Sequence, residues 1–533
     1  MFKSVMRQVM RVTQIINLIP EEEKTATAVQ LIEIIQTQSE QIQLLKDEIA
    51  RLKGEKGKPE IKPSDLGKSK KKNPSQEGSK RPGSVKKKKN KFIKIHKTET
   101  IRPAEIPEGS RFKGYQDYIV QDILIEPCNT KYRLERWETP DGENLTGQLP
   151  DDVIGSHFGA GLRRFILYQH WHAHVTQPLI QEQLADIGID ISSGQINRIL
   201  IENKEEFHAE KENVLQVGIE VSDYLNVDDT GARHKGNNGY CTHIGNEYFA
   251  SFESTESKSR INFLKVLRNG YSDCVINADA LAYMASQKLP RLHISQLLSM
   301  PSTVIEDEEK WENVLKGIGI RTSRHVQIVT EGALIGSVIE HGLNPNIVLI
   351  SDDAGQFSLF CHGLCWVHAE RTINRLTGFN EEQREVLDKK RSEIWEYCRE
   401  LKKYKENPAQ TAKTVLTSRF DEIFKEKTCF ATLNPALERL YKNRNELLPV
   451  LERPDIPLHN NLSENDIREF VKRRKISGSA RSPTGRRCRD TFISLKKTCR
   501  KLGISFWDYL EDRLGGLEKS IPYLPDLIRI RAS

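Results

Sequence analysis

The sequence predicts an α/β protein, and three observations carry that expectation. Short apolar strands alternate with amphipathic helices through the second half of the chain. Two strands finish in paired acids, Asp228-Asp229 and Asp352-Asp353. A helix entered near Asn461 holds Glu464 close to its positive end and Arg468, Lys472, Arg473, Arg474 and Lys475 further along. A length of 533 residues allows roughly three or four domains with ample core. The net charge of +7 is unevenly placed: residues 53–97 hold 17 Lys and Arg against 4 Asp and Glu, and the rest of the chain is net acidic. A basic run of that kind suits phosphate-backbone binding or a solvated linker.

In chain order, Phe2, Val5, Met6, Val9, Val12 and Ile16 outline a short helix that Pro20 interrupts. Residues 28–52 follow a heptad, with Ala28, Ile35, Ile42 and Ile49 at a and Leu31, Gln38, Leu45 and Leu52 at d. That pattern favours a parallel two-stranded coil, with a helix packed on its own protein as the alternative. An N-terminal helix and coiled coil are expected over 1–53, and a disordered basic linker over 54–100. A small β-rich module is expected over 101–154, where Thr139-Pro-Asp-Gly reads as a turn. Over 155–215 the pattern is helical and suggests a helix-turn-helix. Its first helix runs from Pro178 to Asp186, Gly188 makes the turn, and Ser192 or Ser193 caps a second helix ending at Leu200. Gln195, Asn197 and Arg198 fall on that second helix's polar side and are candidate DNA contacts.

Strands are expected at Asp223–Thr230, Gly239–Gly245, Tyr248–Glu253 and Asn346–Asp353, with a helix at Ser259–Leu267. They build a core in two parts, 216–375 and 457–533, separated by a helical insertion at 376–456. Residues 269–345 have no assigned role. Carboxylates on adjacent strand ends, joined by Glu464, would suit hard divalent ions, and such ions promote phosphoryl transfer. Taken singly, each acid is equally compatible with a turn or a helix cap. Arg474, Lys475, Arg486 and Arg487 lie in the basic stretch beyond Glu464 and are candidate phosphate contacts.

The succession strand, strand, strand, helix, strand is that of ribonuclease-H-like nucleases. The passages V-D-D-T-G (227–231), S-D-D-A-G-Q-F (351–357), L-C-W-V-H-A-E-R (364–371), P-L-H-N-N-L-S-E-N-D-I-R (457–468) and R-K-I-S-G-S-A-R-S-P-T-G-R-R (474–487) resemble the insertion-sequence-66 family of DDE transposases, the TnpC-type component. The resemblance implies a ribonuclease-H-like core with a helical insertion before the last acid. It implies Asp228, Asp352 and Glu464 as catalytic metal ligands, with Mg²⁺ or Mn²⁺ as cofactor. The family has D-E-T at the first site where this chain has Asp228-Asp229-Thr230, so Asp228 and Asp229 both stay open as the first ligand. Phe357 favours Asp352 over Asp353 at the second. Cys365 and His368 resemble a Cys-x-x-His signature placed near the active site; packing is the expected role, and zinc, with Cys361 and His362 nearby, is the alternative. A cysteine-rich zinc module found in many relatives is missing, since only Cys128 falls in that region.

The implied activity is metal-dependent cleavage at transposon ends and strand transfer into target DNA. The implied partners are terminal inverted repeats, target DNA, a second copy through the coil, and accessory proteins of the element. The rival readings are a DNA-binding, catalytically inactive or repurposed relative, and a nuclease that cuts without joining. No apolar run approaches the ~18 residues of a membrane span. The N-terminus is broken by charge every few residues and nine cysteines are scattered, so a cytoplasmic, nucleoid-associated protein is expected.

Overall fold

The computed structural model describes Gln38 and residues 93–150, 157–515 and 520–533. The N-terminal helix, and all of the coiled coil and basic linker except Gln38 and 93–100, lie outside the described residues. The chain divides into two units, one of them spanning 57–126. Its described part, 93–126, has neither helix nor strand. Ile101 and Tyr118 there are 89% and 90% exposed.

The larger unit opens with a hairpin, β1 (Arg136–Glu138) and β2 (Asn144–Thr146), closed by the expected turn at Thr139–Gly142. These are the only strands described between 93 and 150, where a β-rich module is expected. The alternating apolar residues of that stretch stay exposed, and alternation without a face to bury does not make a sheet.

Helices follow: α1 (Ala160–Leu167), a single π-helical turn at Tyr168–His172, α2 (Gln177–Asp186), α3 (Ser193–Ile201) and α4 (Glu205–Glu220). Gly188, at φ +81°, ends α2. Ser192 Oγ accepts from Gln195 N at 3.2 Å and starts α3. Ile180, Leu184, Ile196 and Leu200 are fully buried, so α2 and α3 each turn a 3.6-period face inward.

The central sheet is mixed and five-stranded, which makes the fold α/β. It begins with β3 (Tyr224–His234), β4 (Asn237–Gly245) and β5 (Ala250–Thr255), an antiparallel meander. Then come α5 (Arg260–Leu267), β6 (Cys274–Val275), α6 (Ala278–Ser286), α7 (Arg291–Leu298), β7 (Val304–Ile305), α8 (Glu308–Gly317) and α9 (Ser323–Glu340). The chain re-enters the sheet as β8 (Val348–Ser351) and β9 (Cys361–Leu364), giving the order β5-β4-β3-β8-β9. Leu349 enters the core shared with Leu225 and Val227, while Val348 and Ile350 enter a second core on the other face. A strand buried on both faces reads as a continuous apolar run, as 347–350 does.

The second core belongs to α10 (Trp366–Asn374), α11 (Glu381–Glu406), α12 (Gln410–Lys425), α13 (Leu433–Lys442) and α14 (Arg444–Leu447). The chain closes with α15 (Asn461–Ser477), α16 (Pro483–Lys501), α17 (Phe506–Leu514) and α18 (Leu524–Ala532). Ile467 and Phe470 of α15 pack with Ala232, Cys241, Phe252 and Ile493 in a third, small core against the sheet.

Helix α16 covers the β5 edge in an unusual way. Ala250 N donates to Thr498 Oγ1 at 3.2 Å, Phe252 N to Ser494 Oγ at 2.8 Å and Ser254 N to Asp490 Oδ2 at 3.0 Å. Four residues of helix rise about 6.0 Å and two of strand about 6.8 Å, so an i, i+4, i+8 row of acceptors matches alternate strand amides. The drift of ~0.8 Å per rung limits such a ladder to about three rungs. It removes the row of free donors that an edge strand would otherwise present.

The π-helical turn is bound to α15 and α16. Arg473 donates to His170 O at 2.7 Å and to His170 Nε2, while His170 Nδ1–H donates to Val175 O at 3.0 Å. Burial, then the Arg473 guanidinium, pushes the imidazole down to about 3, and His174 nearby adds to the effect. The ring is neutral when folded and charges near its ordinary value when unfolded. Its contribution is therefore complete above about pH 6.5 and falls as pH drops below that. At pH 5 the expected loss is about 2 kcal/mol. Thermal melts from pH 7.5 to 5 should show it, and His170→Gln should flatten the slope by about one proton.

Among the described residues no helix is long and apolar enough to cross a membrane.

Candidate active site

The parallel pair β3/β8 is in register from Tyr224↔Val348 to Asn226↔Ile350. Carried two residues further, that register sets Asp228 level with Asp352. Neighbouring strands lie about 4.8 Å apart, and side chains at one level share a face, so two carboxylates meet where the parallel pairing ends. Asp228 is not at a strand end as expected. β3 continues to His234 because its other neighbour, β4, pairs with it as far as His234↔Asn237. The Asp228 carboxyl is pushed up to about 7, first by burial and then by the facing Asp352.

Asp229 points to the opposite face and is occupied. Its Oδ1 accepts from Thr242 Oγ1 at 2.6 Å and its Oδ2 from Gln356 Nε2 at 2.9 Å. Gln356 belongs to the S-D-D-A-G-Q-F passage, so Asp229 ties β3 to the loop that carries Asp352. Asp353 is exposed and paired with Arg439. The loop is also held from below: Arg260 donates to Gly355 O at 2.8 Å and to Tyr283 Oη at 2.9 Å, and pairs with Glu331 at 3.3 Å. Phe263 meets the Phe357 ring edge-on at 5.0 Å. Residues 269–345 thus gain a role, since Tyr283 and Glu331 anchor the brace under the second acid.

Glu464 lies in the first turn of α15. No side-chain cap starts this helix. Asn460 is the N-cap and its side chain makes no capping bond, while Ser463 Oγ pairs with His243 Nδ1 at 2.6 Å. Asn460 is 1% exposed and reaches into the sheet instead. Its Nδ2 donates to Val227 O at 2.8 Å, its Oδ1 accepts from Asn226 Nδ2 at 2.9 Å, and its backbone N donates to Cys365 Sγ at 3.2 Å. Glu464 N donates to Asn460 O at 3.1 Å. One asparagine therefore joins the strand before Asp228, the start of α10 and the helix of Glu464. The Asn-Asn pair at 460–461 was its only trace in the sequence, and it reads there as a cap.

His243 stands opposite Asp228 in the β3/β4 register and is fully buried. Its Nε2 is 3.2 Å from Asp466, which also pairs with Lys497 at 3.2 Å and Lys501 at 2.9 Å. Burial alone would raise the Asp466 carboxyl, but His243 and Lys501 hold it below the usual range. α15 is thereby clamped to both β4 and α16.

His368 Nε2 is 3.6 Å and the Arg371 guanidinium 3.5 Å from Glu464 Oε1. Arg371 also donates to His368 Nε2 at 3.0 Å. Burial, then Arg371, lowers the His368 imidazole, against the pull of Glu464 and Asp352. Cys365 is buried with its sulfur on Asn460, and His362 bridges Ser351 at 2.7 Å and Glu446 at 3.1 Å. Asp352 Oδ1 and Glu464 Oε1 are buried without a hydrogen-bond partner. Buried carboxylate oxygens that accept no hydrogen bond suit a hard cation. Among the described residues, no three His, Cys, Asp or Glu side chains stand close enough to enclose a metal ion.

The candidate DNA contacts are scattered over one side chain each. Gln195 and Asn197 are half-buried, with Asn197 Oδ1 accepting from Gln177 at 3.3 Å, and Arg198 is exposed. Arg474 donates to Gly231 O beside β3, and Arg487 pairs with Glu212 at 3.0 Å. Lys475 is exposed and Arg486 lines a cleft.

Residues 342–487, which include Asp352 and Glu464, match the model of the family described as "Transposase IS66 family". The chain is also similar to the uncharacterized protein y4jO of Sinorhizobium fredii (strain NBRC 101917 / NGR234). The two are 41% identical over 321 residues, which is 60% of this chain and the whole of that relative. The chain belongs to the IS66 transposase family.

Proposed function

We propose that this protein is a DDE-type transposase that cuts DNA at the ends of its element and joins them to target DNA. The carrying observation is the level placement of Asp228 and Asp352, together with buried oxygens of Asp352 and Glu464 that accept no hydrogen bond. The sheet order supports a ribonuclease-H-like core. Asp228, Asp352 and Glu464 would hold Mg²⁺ or Mn²⁺. When bound, the metal would activate the attacking oxygen and stabilise the leaving one. In the first step water attacks the phosphorus, the P–O3′ bond breaks, and a 3′-OH and a 5′-phosphate are left. In the second that 3′-OH attacks a target phosphorus and displaces the target's own 3′ oxygen. Asp229 and Arg474 are better read as braces than as ligand or phosphate contact. Gln195, Asn197, Arg198, Lys475, Arg486 and Arg487 remain for DNA. Cys365 and His368 support the site structurally, and pairing of two copies through the coil would bring two ends together.

The second reading, DNA binding without catalysis, draws on the absence of a three-donor cluster among the described residues. A strand-transfer assay separates them, using purified protein, Mg²⁺ and the element's terminal repeats beside the Asp352→Asn variant. Joined product from wild type alone supports the transposase. Binding with neither cleavage nor joining, even with the element's accessory proteins added, supports the second reading. Cleavage without joining supports a nuclease.

A further inference from the structure

A cleft of about 250 Å³ opens where the β3–β4 hairpin turns, between its tip, the end of β5 and the first turn of α16. It is lined by Arg233, Asn237, Tyr240, Glu256, Arg486 and Arg489, among others. The three arginines differ. Arg489 is structural: it donates to Ser254 Oγ at 2.6 Å, pairs with Asp490 at 3.1 Å and lies over the Phe470 ring at 4.6 Å. The Arg233 and Arg486 side chains have no hydrogen-bond or ion-pair partner among the described residues. Both line the one cleft, and Glu256 is the only acid among its lining residues. The hairpin is fastened there, since Lys235 N donates to Ala480 O at 3.4 Å and His234 Nδ1 sits 3.1 Å from the same oxygen. Two planar donors thus line one cleft without a protein acceptor, and guanidinium groups are suited to phosphate oxygens.

Position narrows the ligand further. Arg233 lies five residues beyond Asp228 on one strand, on the order of 16 Å along it at about 3.3 Å per residue, and the odd spacing turns it to the other face of the sheet. Stacked duplex rises about 3.4 Å per nucleotide of one strand, so a backbone that reaches both lies at least about five nucleotides further along at the cleft. Lys258 fills the interval. Its ammonium lies 5.4 Å from the centre of the Tyr240 ring in the cleft wall and also acts electrostatically on Asp228 and Asp229. A cationic path thus joins cleft and acids.

We propose that this cleft is a second phosphate site for the bound DNA, taking a single backbone phosphate about five or more nucleotides from the scissile one through Arg233 and Arg486. The proposal rests on the reading of this protein as an enzyme acting on DNA. It concerns a site with no acid-ligand chemistry of its own.

The test is binding of terminal-repeat DNA by the full chain in Ca²⁺, across a salt series, for wild type, Arg233→Ala, Arg486→Ala and the double variant. Loss of one phosphate contact lowers the slope of log K against log salt by about 0.9 in the double variant. DNA carrying one methylphosphonate is then walked across eight nucleotides on either side of the cut. At one position the neutral phosphate should weaken wild-type binding about tenfold and leave the double variant unaffected. Glu256→Gln should tighten binding a few-fold, a gain that misfolding cannot produce. An unchanged salt slope, or penalties that multiply at every position, would overturn the site. Failure of wild type to bind DNA above a non-specific control would instead remove the functional reading with it.

Discussion

Asp228→Asn should lower Mg²⁺-dependent cleavage of end DNA by at least ~10³-fold, equivalent to about 4 kcal/mol of barrier. Binding of the same DNA in Ca²⁺ should stay within about threefold of wild type. Asp229→Asn is the informative control, because the two residues are neighbours with opposite surroundings. Asp228 shares a face with Asp352, while both oxygens of Asp229 already accept hydrogen bonds, from Thr242 and Gln356. The Asp229 change should cost roughly tenfold in cleavage, with a lower melting temperature as the Asp352 loop loosens. Single-turnover cleavage and thermal melts on both variants check this. Equal losses at the two positions would mean that Asp229, or the pair, is the ligand.

Asn460→Ala should be the most damaging change outside the acids. It leaves the Asn226 amide and the Val227 carbonyl without partners in the buried interior, at a cost of about 2–4 kcal/mol in stability. Its second effect is on position. The same side chain ties the strand before Asp228 to the helix of Glu464, so the third acid loses its register with the first. Cleavage should fall by ~10²-fold even well below the melting temperature, and binding of Mn²⁺ should weaken, read by its paramagnetic signal without DNA. A melting shift with unaltered Mn²⁺ affinity and unaltered rate at low temperature would show a structural role alone.

Much of the core was legible because its signals are local. The apolar run at 347–350 and the Ser259 cap of α5 mark their elements within a residue or two. The pairing of α2 and α3 around Gly188 was legible for the same reason. What failed depended on neighbours distant in sequence. β3 outruns Asp229 only because β4 accompanies it. Asn460 has the residue type and place of a helix cap, yet β3 outcompetes its own helix for the side chain. Arg474 reads as a phosphate contact, and its bond to the Gly231 carbonyl is not visible in the sequence. The apolar alternation before 135 reads as a sheet, although it has no packed face to complete it.

The sheet order has a consequence for how the protein is made. β3 sits at the centre, yet its neighbour β8 follows about 120 residues later, and α15 arrives more than a hundred residues after that. A chain emerging from the ribosome can form the β3–β4–β5 meander early, but Asp228 then has no carboxylate beside it. Contacts this distant in sequence form slowly and late. The α16 ladder that seals β5 comes later still. An interrupted chain would therefore present an open strand edge and an incomplete set of acids. Such a product is a candidate for degradation.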